Sequence, residues 1–116
     1  MANDFKNAIA QNINAVVGTG TTIYTVPASK TSILLELDIA NTSVNVVEAS
    51  VEILDRSVGV SAWRYLVKNA PVPTGGSLMV IAGQKIVLEA GDKVRVTSSA
   101  ASVMDAVAAI LEDVNS

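Results

Sequence analysis

The sequence predicts an all-β fold, a single antiparallel β-sandwich or jelly roll of about eight strands with an N-terminal arm. Three observations support this prediction. Clusters of Gly, Pro, Asn, Asp and Ser interrupt the 116-residue chain about every 8 to 15 residues. Apolar and polar residues alternate between these interruptions, as they do in half-buried strands. Half of the residues are hydrophobic, and the small or β-branched types dominate, which favours pleated sheets.

The first element is residues 1–17, which we predict to be an N-terminal arm or an edge strand. Asn and Gln residues interrupt its apolar positions, so the segment has no strong apolar face. Residues 18–116 carry the regular turn signals and are assigned to the sandwich domain. About eight strands in this length leave no room for a second domain.

Two long strands are predicted next, at residues 33–40 and 46–54, because apolar residues recur at every second position in both. The predicted inward positions are Ile33, Leu35, Leu37 and Ile39 in the first strand and Val47, Ala49, Val51 and Ile53 in the second.

Carboxylates occupy the outward positions of the same two strands: Glu36 and Asp38, then Glu48 and Glu52. A hairpin about residues 41–45 would bring all four together, as glycosidases and calcium sites require. However, outward positions of a sheet are polar in most proteins, and basic residues elsewhere in the chain offer cross-strand partners. We therefore favour a solvated or subunit-facing surface over a catalytic or metal site.

Trp63, Arg64 and Tyr65 combine two aromatic residues with a charge. Three interpretations are open: the rings pack in the core, they anchor a subunit interface, or they form a platform for a sugar. Trp, Tyr and Arg are the residues most enriched at interface hot spots. Their alternation with Leu66 and Lys68 gives at least one mixed face, which keeps the interface interpretation open.

Three later segments complete the predicted fold. Residues 69–77 contain two prolines separated by one residue, which favours an extended crossing between sheets over a tight hairpin. We predict that residues 88–94 form a turn whose glycine adopts a positive φ before the next strand. Residues 103–114 fit either a helix or a strand, and we favour the strand because it would cover a sheet edge.

The composition limits the chemistry of the chain. Cys and His are both absent, which removes thiol nucleophiles, imidazole bases and nearly all zinc and haem ligation, and we expect neither catalysis nor a cofactor. A formal net charge of −3 argues against a nucleic-acid partner. No apolar run is long enough for a membrane-spanning helix, and the N-terminus lacks the features of a secretory leader. We therefore expect synthesis in a cytoplasm and no membrane partner.

Three segments together resemble the small β-sandwich virion proteins of tailed bacteriophages. The first is TIYTVPASKTSILLELDIANTS, with a Tyr-Thr-x-Pro-x-x-Lys turn that leads into a long strand ending in Ala-Asn-Thr-Ser. The second is YLVKNAPVPTGGSLMV, which carries a Pro-x-Pro-x-Gly-x-Ser crossing. The third is KIVLEAGDKVRVTSSAASVMDAVAAILE, which carries a Leu-x-x-Gly-Asp turn, and the resemblance covers nearly the whole chain.

This resemblance implies a non-enzymatic structural protein of the virion, made in the host cytoplasm. The first expectation is a capsid decoration or cement protein that binds the major capsid protein and forms a homo-oligomer such as a trimer. The alternatives are a tail, neck or fibre-attachment component and, from another class, a carbohydrate-binding sandwich. The arm would gain order on binding a neighbour. The candidate interface residues are Phe5, Ile9, Ile13, Glu36, Asp38, Trp63, Arg64 and Tyr65.

Overall fold

The computed structural model describes residues 4–11, 13, 15, 20–55 and 63–112. These residues form eight β-strands and no helix, which confirms the predicted fold class. The described part of the chain therefore offers no helix with the length and hydropathy needed to cross a bilayer. The strands are β1 Asp4–Ala10, β2 Thr21–Thr25, β3 Ser32–Asn41, β4 Val47–Leu54, β5 Trp63–Val72, β6 Ser77–Leu88, β7 Lys93–Ser98 and β8 Met104–Glu112.

The strands form two four-stranded antiparallel sheets with the topology of a jelly roll. Sheet 1 has the order β1-β8-β3-β6 and sheet 2 the order β2-β7-β4-β5. The pairs β1·β8, β2·β7, β3·β6 and β4·β5 are nested, as if one long hairpin with its tip between β4 and β5 had been wrapped into two layers. This wrapping distinguishes the jelly roll from simpler sandwiches.

The core lies between the two sheets and consists of aliphatic side chains. Leu34, Leu37 and Ile39 enter it from sheet 1, and Val51 and Val96 enter it from sheet 2, all fully buried. Burial of each large aliphatic side chain stabilises the fold by about 1.5–3 kcal/mol before the entropy of ordering is subtracted. The sequence therefore builds its stability from many small hydrophobic contributions.

Ile13 belongs to this core, which corrects its prediction as an interface residue. Its side chain is fully buried. Its backbone N–H donates a 3.0 Å hydrogen bond to the carbonyl oxygen of Met104, and its own carbonyl oxygen accepts one from Ser102. Ile13 thus packs within the sandwich and is not available to a partner.

A β-bulge in β3 changes which residues of that strand face the core. Leu34 pairs with Ile110 of β8, and Glu36 pairs with the next residue, Ala109, so that Leu35 is an extra residue in β3. The inward positions are therefore Leu34, Leu37 and Ile39, because the bulge shifts the alternation by one residue. The prediction that Ile33 and Leu35 face the core was wrong.

The predicted hairpin between β3 and β4 is also wrong, because these strands lie in different sheets. The chain crosses between the sheets after Asn41, whose buried side chain holds the crossing in place. The amide nitrogen of Asn41 donates to the carbonyl oxygens of Asn45 and Val72, at 2.7 and 3.0 Å, while its oxygen accepts from Ser43. The four carboxylates predicted to cluster are thus separated onto opposite sides of the molecule.

The crossing between sheets, the positive φ of the turn glycine and the final strand are confirmed, although residues 69–72 belong to β5, so the crossing is shorter than the predicted residues 69–77. The chain crosses from β5 in sheet 2 to β6 in sheet 1 through a turn in which Gly76 donates to the carbonyl oxygen of Pro73 at 2.9 Å. Gly91, in the turn before β7, has a φ of +86°. The C-terminal segment forms strand β8, which lies between β1 and β3.

Candidate interaction surfaces

The outer face of sheet 1 carries two rows of apolar side chains that run across its four strands. Register places Phe5, Leu111, Ile33 and Val87 side by side in one row. A second row, four residues along β1, contains Ile9, Val107, Asp38 and Met79. We call this surface, formed by these two rows and by Glu36 between them, the sheet 1 face.

The sheet 1 face leaves an unusual amount of apolar surface in water. Five of its large apolar side chains are between 45% and 77% exposed, and they come from β1, β6 and β8. Single exposed apolar residues are common on soluble proteins, but contiguous patches mark interaction sites. The residues are Phe5, Ile9, Met79, Val87 and Val107.

Glu36 and Asp38 lie at the centre of the sheet 1 face. They are two residues apart on the same strand beyond the bulge, so both point outward. A hydrogen bond between their carboxyl groups, together with the charge of Asp38, raises the pKa of Glu36 above its usual value. Oxygen Oδ1 of Asp38 is shielded from water and has no hydrogen-bond partner among the residues that the structure describes.

The outer face of sheet 2 is organised around a buried ion pair instead. Register places Glu52 opposite Arg95 of β7, and their two hydrogen bonds measure 2.9 Å from Nε to Oε1 and 3.1 Å from Nη2 to Oε2. The guanidinium carbon of Arg95 lies 3.8 Å from the centroid of the Trp63 ring. Trp63 is therefore neither in the core nor free on both sides, because Arg95 covers one face of its indole.

A cleft of about 260 Å³ lies beside this ion pair on the outer face of sheet 2. Glu48, Ser50, Tyr65 and Lys68 contribute to its walls. The ammonium of Lys68 lies 5.3 Å from the centroid of the Tyr65 ring, so the two side chains support each other. Asn69, with a φ of +52°, donates its backbone N–H to Ser50 at 3.0 Å and shapes the wall at a bulge of β5.

One group of three acidic residues in the described part of the chain has the spacing of a metal site, but its contacts show that it stabilises a turn. Asp55, Glu89 and Asp92 bring carboxylate oxygens within 4.8 Å of one another. Oδ2 of Asp92 accepts the backbone N–H of Glu89 at 2.9 Å, and Asp92 in turn donates its N–H to the Glu89 carbonyl oxygen. Asp residues commonly stabilise turns in this way, and we assign the cluster to the turn between β6 and β7.

Apart from Ile13, which is in the core, the structure places the predicted interface residues on two surfaces. Phe5 and Ile9 share the sheet 1 face with Glu36 and Asp38. The cluster at residues 63–65 lies in β5, the edge strand of the opposite sheet, where Arg64 and Tyr65 are exposed. The two carboxylates of sheet 2, Glu48 and Glu52, belong to this second surface.

Sequence reasoning missed several residues of both surfaces. Met79, Val87 and Val107 sit between apolar neighbours, so alternation could not show which residues of β6 and β8 face outward. Arg95 had a clear signal, because it alternates with Val94 and Val96. Its pairing with Glu52 depends on register between strands far apart in the chain, which periodicity does not contain.

Comparisons with known proteins give little beyond this geometry. No protein-family model matches the chain, and no curated protein matches it. Among solved structures, the chain is similar to part of the structure of infectious bursal disease virus Gt strain, with a TM-score of 0.45 and 14% sequence identity. The match covers 95% of this chain and 32% of that one, so this chain spans about a third of the length of the protein it matches.

Proposed function

We propose that this chain is a non-enzymatic structural protein of the virion, a capsid decoration or cement protein of a tailed bacteriophage. In this proposal the sheet 1 face binds neighbouring subunits of the major capsid protein. The observation that carries the proposal is the alignment of five exposed apolar side chains on one sheet face. Burial of such a face in a particle would remove its contact with water, which is the main driving force for protein association.

Two further observations support the proposal. Jelly rolls are common in viral capsid domains and in lectins, so the fold is compatible with a virion role. The three segments that resemble phage virion proteins contain all or most of each strand from β2 to β8 except β4. A tail, neck or fibre-attachment protein would use the same face, and copy number separates it from a decoration protein.

The carbohydrate-binding alternative receives weaker support. Sugars stack on open aromatic faces, and one face of Trp63 is covered by Arg95. Tyr65 lines the cleft on sheet 2 and is the better candidate for a sugar contact. Glycan-array binding by the isolated chain, lost in Tyr65→Ala, would favour this alternative over the virion proposal.

The test is quantitative mass spectrometry of purified phage particles, with copy number measured relative to the major capsid protein. A decoration protein is expected at a copy number comparable to that of the capsid subunit or a simple fraction of it. A few copies per particle would point to the tail or neck, and absence from particles would reject both virion roles. Sedimentation equilibrium of the purified chain separately tests the expected homo-oligomer.

A further inference from the structure

The centre of the sheet 1 face has a chemistry that an apolar contact alone would not need. Glu36 lies between the two apolar rows and Asp38 lies within the second row, so their carboxyl groups are two positions apart on the same face of β3. Like charges on one face of a sheet repel each other, and hydrogen bonding with Asp38 together with its charge raises the pKa of Glu36. Oδ1 of Asp38 is shielded from water, and it accepts no hydrogen bond from any residue whose side chain the structure describes.

The apolar surround determines how strongly this centre would act in a complex. Val107 and Met79 flank Asp38 directly across the strands, and Ile33 precedes the pair along β3. When a partner covers these side chains, water leaves the centre and its effective dielectric constant falls. Two buried carboxylates without a positive partner would then oppose binding, whereas a cation between them would be held by short charge-assisted hydrogen bonds.

A second copy of this chain is a poor occupant of the face. A twofold contact between two sheet 1 faces would bring two carboxyl pairs together, and the chain has a formal net charge of −3. Two exposed basic residues of sheet 2, Arg64 and Lys68, already have contacts within the chain. Arg64 donates to the carbonyl oxygen of Trp63 at 2.9 Å, and Lys68 lies over the Tyr65 ring.

We propose that the sheet 1 face receives a lysine or arginine side chain from a different virion protein, and that this cation binds between Glu36 and Asp38 while apolar residues of the partner cover the two rows. The inference rests on the proposed function and adds to it the chemistry of the partner. It makes the carboxyl pair the source of specificity and the rows the source of affinity.

The first experiment identifies the partner within assembled particles. A photoreactive benzophenone amino acid replaces Val107 in the full chain, the particles are irradiated, and the cross-linked peptide is identified by mass spectrometry. The expected product is a peptide of another virion protein with a Lys or Arg within a few residues of the adduct. A peptide of this chain itself, or one without a nearby basic residue, would overturn the inference while leaving the virion role intact. Absence of the chain from particles would reject both.

The second experiment measures binding of the purified full chain to particles of a phage from which its gene has been deleted. The double substitution Glu36→Gln and Asp38→Asn is expected to weaken binding about tenfold at low salt, and Glu36→Lys about 100-fold. Glu48→Gln, which removes a carboxylate from the opposite sheet, is the matched control and should leave binding unchanged. Equal or tighter binding by the neutral double variant would show that the face docks by apolar contact alone.

Discussion

The phenol of Tyr24 donates a 2.6 Å hydrogen bond to Oε2 of Glu112 and thereby links the two sheets of the sandwich. Tyr24 belongs to β2 in sheet 2, and Glu112 ends β8 in sheet 1. The other carboxylate oxygen of Glu112 lies 2.9 Å from the ammonium of Lys6 in β1, and the phenol also shares a 2.8 Å hydrogen bond with Ser32. This network ties the edge strand that carries Phe5 and Ile9 to the rest of the fold.

Tyr24→Phe tests this link with a minimal change. It keeps the ring and removes the hydroxyl, so Glu112 loses a hydrogen bond in a buried position. Hydrogen bonds to charged groups contribute about 1.5–3 kcal/mol, and we expect the free energy of unfolding in urea to fall by that amount. Tyr65→Phe is the control, because Tyr65 is exposed, and it should change stability by less than about 0.5 kcal/mol.

The pKa of Glu112 predicts the pH dependence of stability at the same site. Hydrogen bonds from Tyr24 and Lys6 hold the pKa of Glu112 below its usual value of 4.5. A depressed pKa in the folded state gives stability that is present above 4.5 and is lost as the pH falls through the folded value. Glu112→Gln should therefore be less stable than the parent near neutral pH, and the difference should shrink as urea titrations move from about pH 6 to about pH 3.

Glu36 provides a control of opposite sign for that experiment. Its hydrogen bond with Asp38 raises its pKa, so its contribution is present below the usual value and is lost as the pH rises. The stability of Glu36→Gln relative to the parent should therefore improve with increasing pH. A Glu36→Gln curve with the slope expected for Glu112→Gln would contradict the assignment of Glu36.

The ion pair under Trp63 should stabilise the outer face of sheet 2. Arg95→Met leaves Glu52 without its charged partner at a site where both side chains are about one-tenth exposed, and such losses cost about 3–5 kcal/mol. Arg64→Met, on the neighbouring exposed strand position, should cost less than about 0.5 kcal/mol. Trp63 is the one tryptophan of the chain, so tryptophan fluorescence reports on its surroundings alone. If Arg95 stacks on the indole, the fluorescence should change in Arg95→Met and stay unchanged in Arg64→Met.

Two glycines have the same backbone conformation but different surroundings, so replacing each with Ala distinguishes backbone strain from steric overlap. Gly20 and Gly75 have φ values of +56° and +65°. A Cβ on Gly20 would lie 2.6 Å from Oγ1 of Thr97 and 2.8 Å from the carbonyl oxygen of Val96, whereas a Cβ on Gly75 would meet no atom within 4 Å. Gly75→Ala should cost about 1 kcal/mol and Gly20→Ala about 3 kcal/mol in thermal or urea unfolding. Equal costs would contradict the close approach of β7 to Gly20.

The sequence contained enough information for the fold class because alternation and turn residues are local properties. It predicted the crossing between sheets within residues 69–77 and the final strand for that reason. The bulge at Leu35 and the separation of β3 from β4 depend on the registers of β6 and β8, which lie far away in the chain. A period of two cannot show where an extra residue shifts it.

The candidate surfaces could be predicted only in part for the same reason. Glu36 and Asp38 were predicted to face outward because charged side chains are rarely buried. Val87 and Val107 were not recognised, since an apolar residue in an apolar strand fits either face. The nested pairing of the jelly roll is what places them beside Phe5 and Ile9.

The central claim is that the sheet 1 face holds the chain on the particle, and a matched pair of substitutions tests it most directly. Val87 on the face and Val46 in the loop before β4 are 63% and 64% exposed, and we expect Val→Lys to change the stability of the isolated fold by less than about 0.5 kcal/mol at both positions. Occupancy on purified particles is measured by quantitative mass spectrometry for each variant. The account predicts that Val87→Lys lowers occupancy at least about tenfold while Val46→Lys leaves it at the parental level. Equal occupancy of the two variants would contradict it.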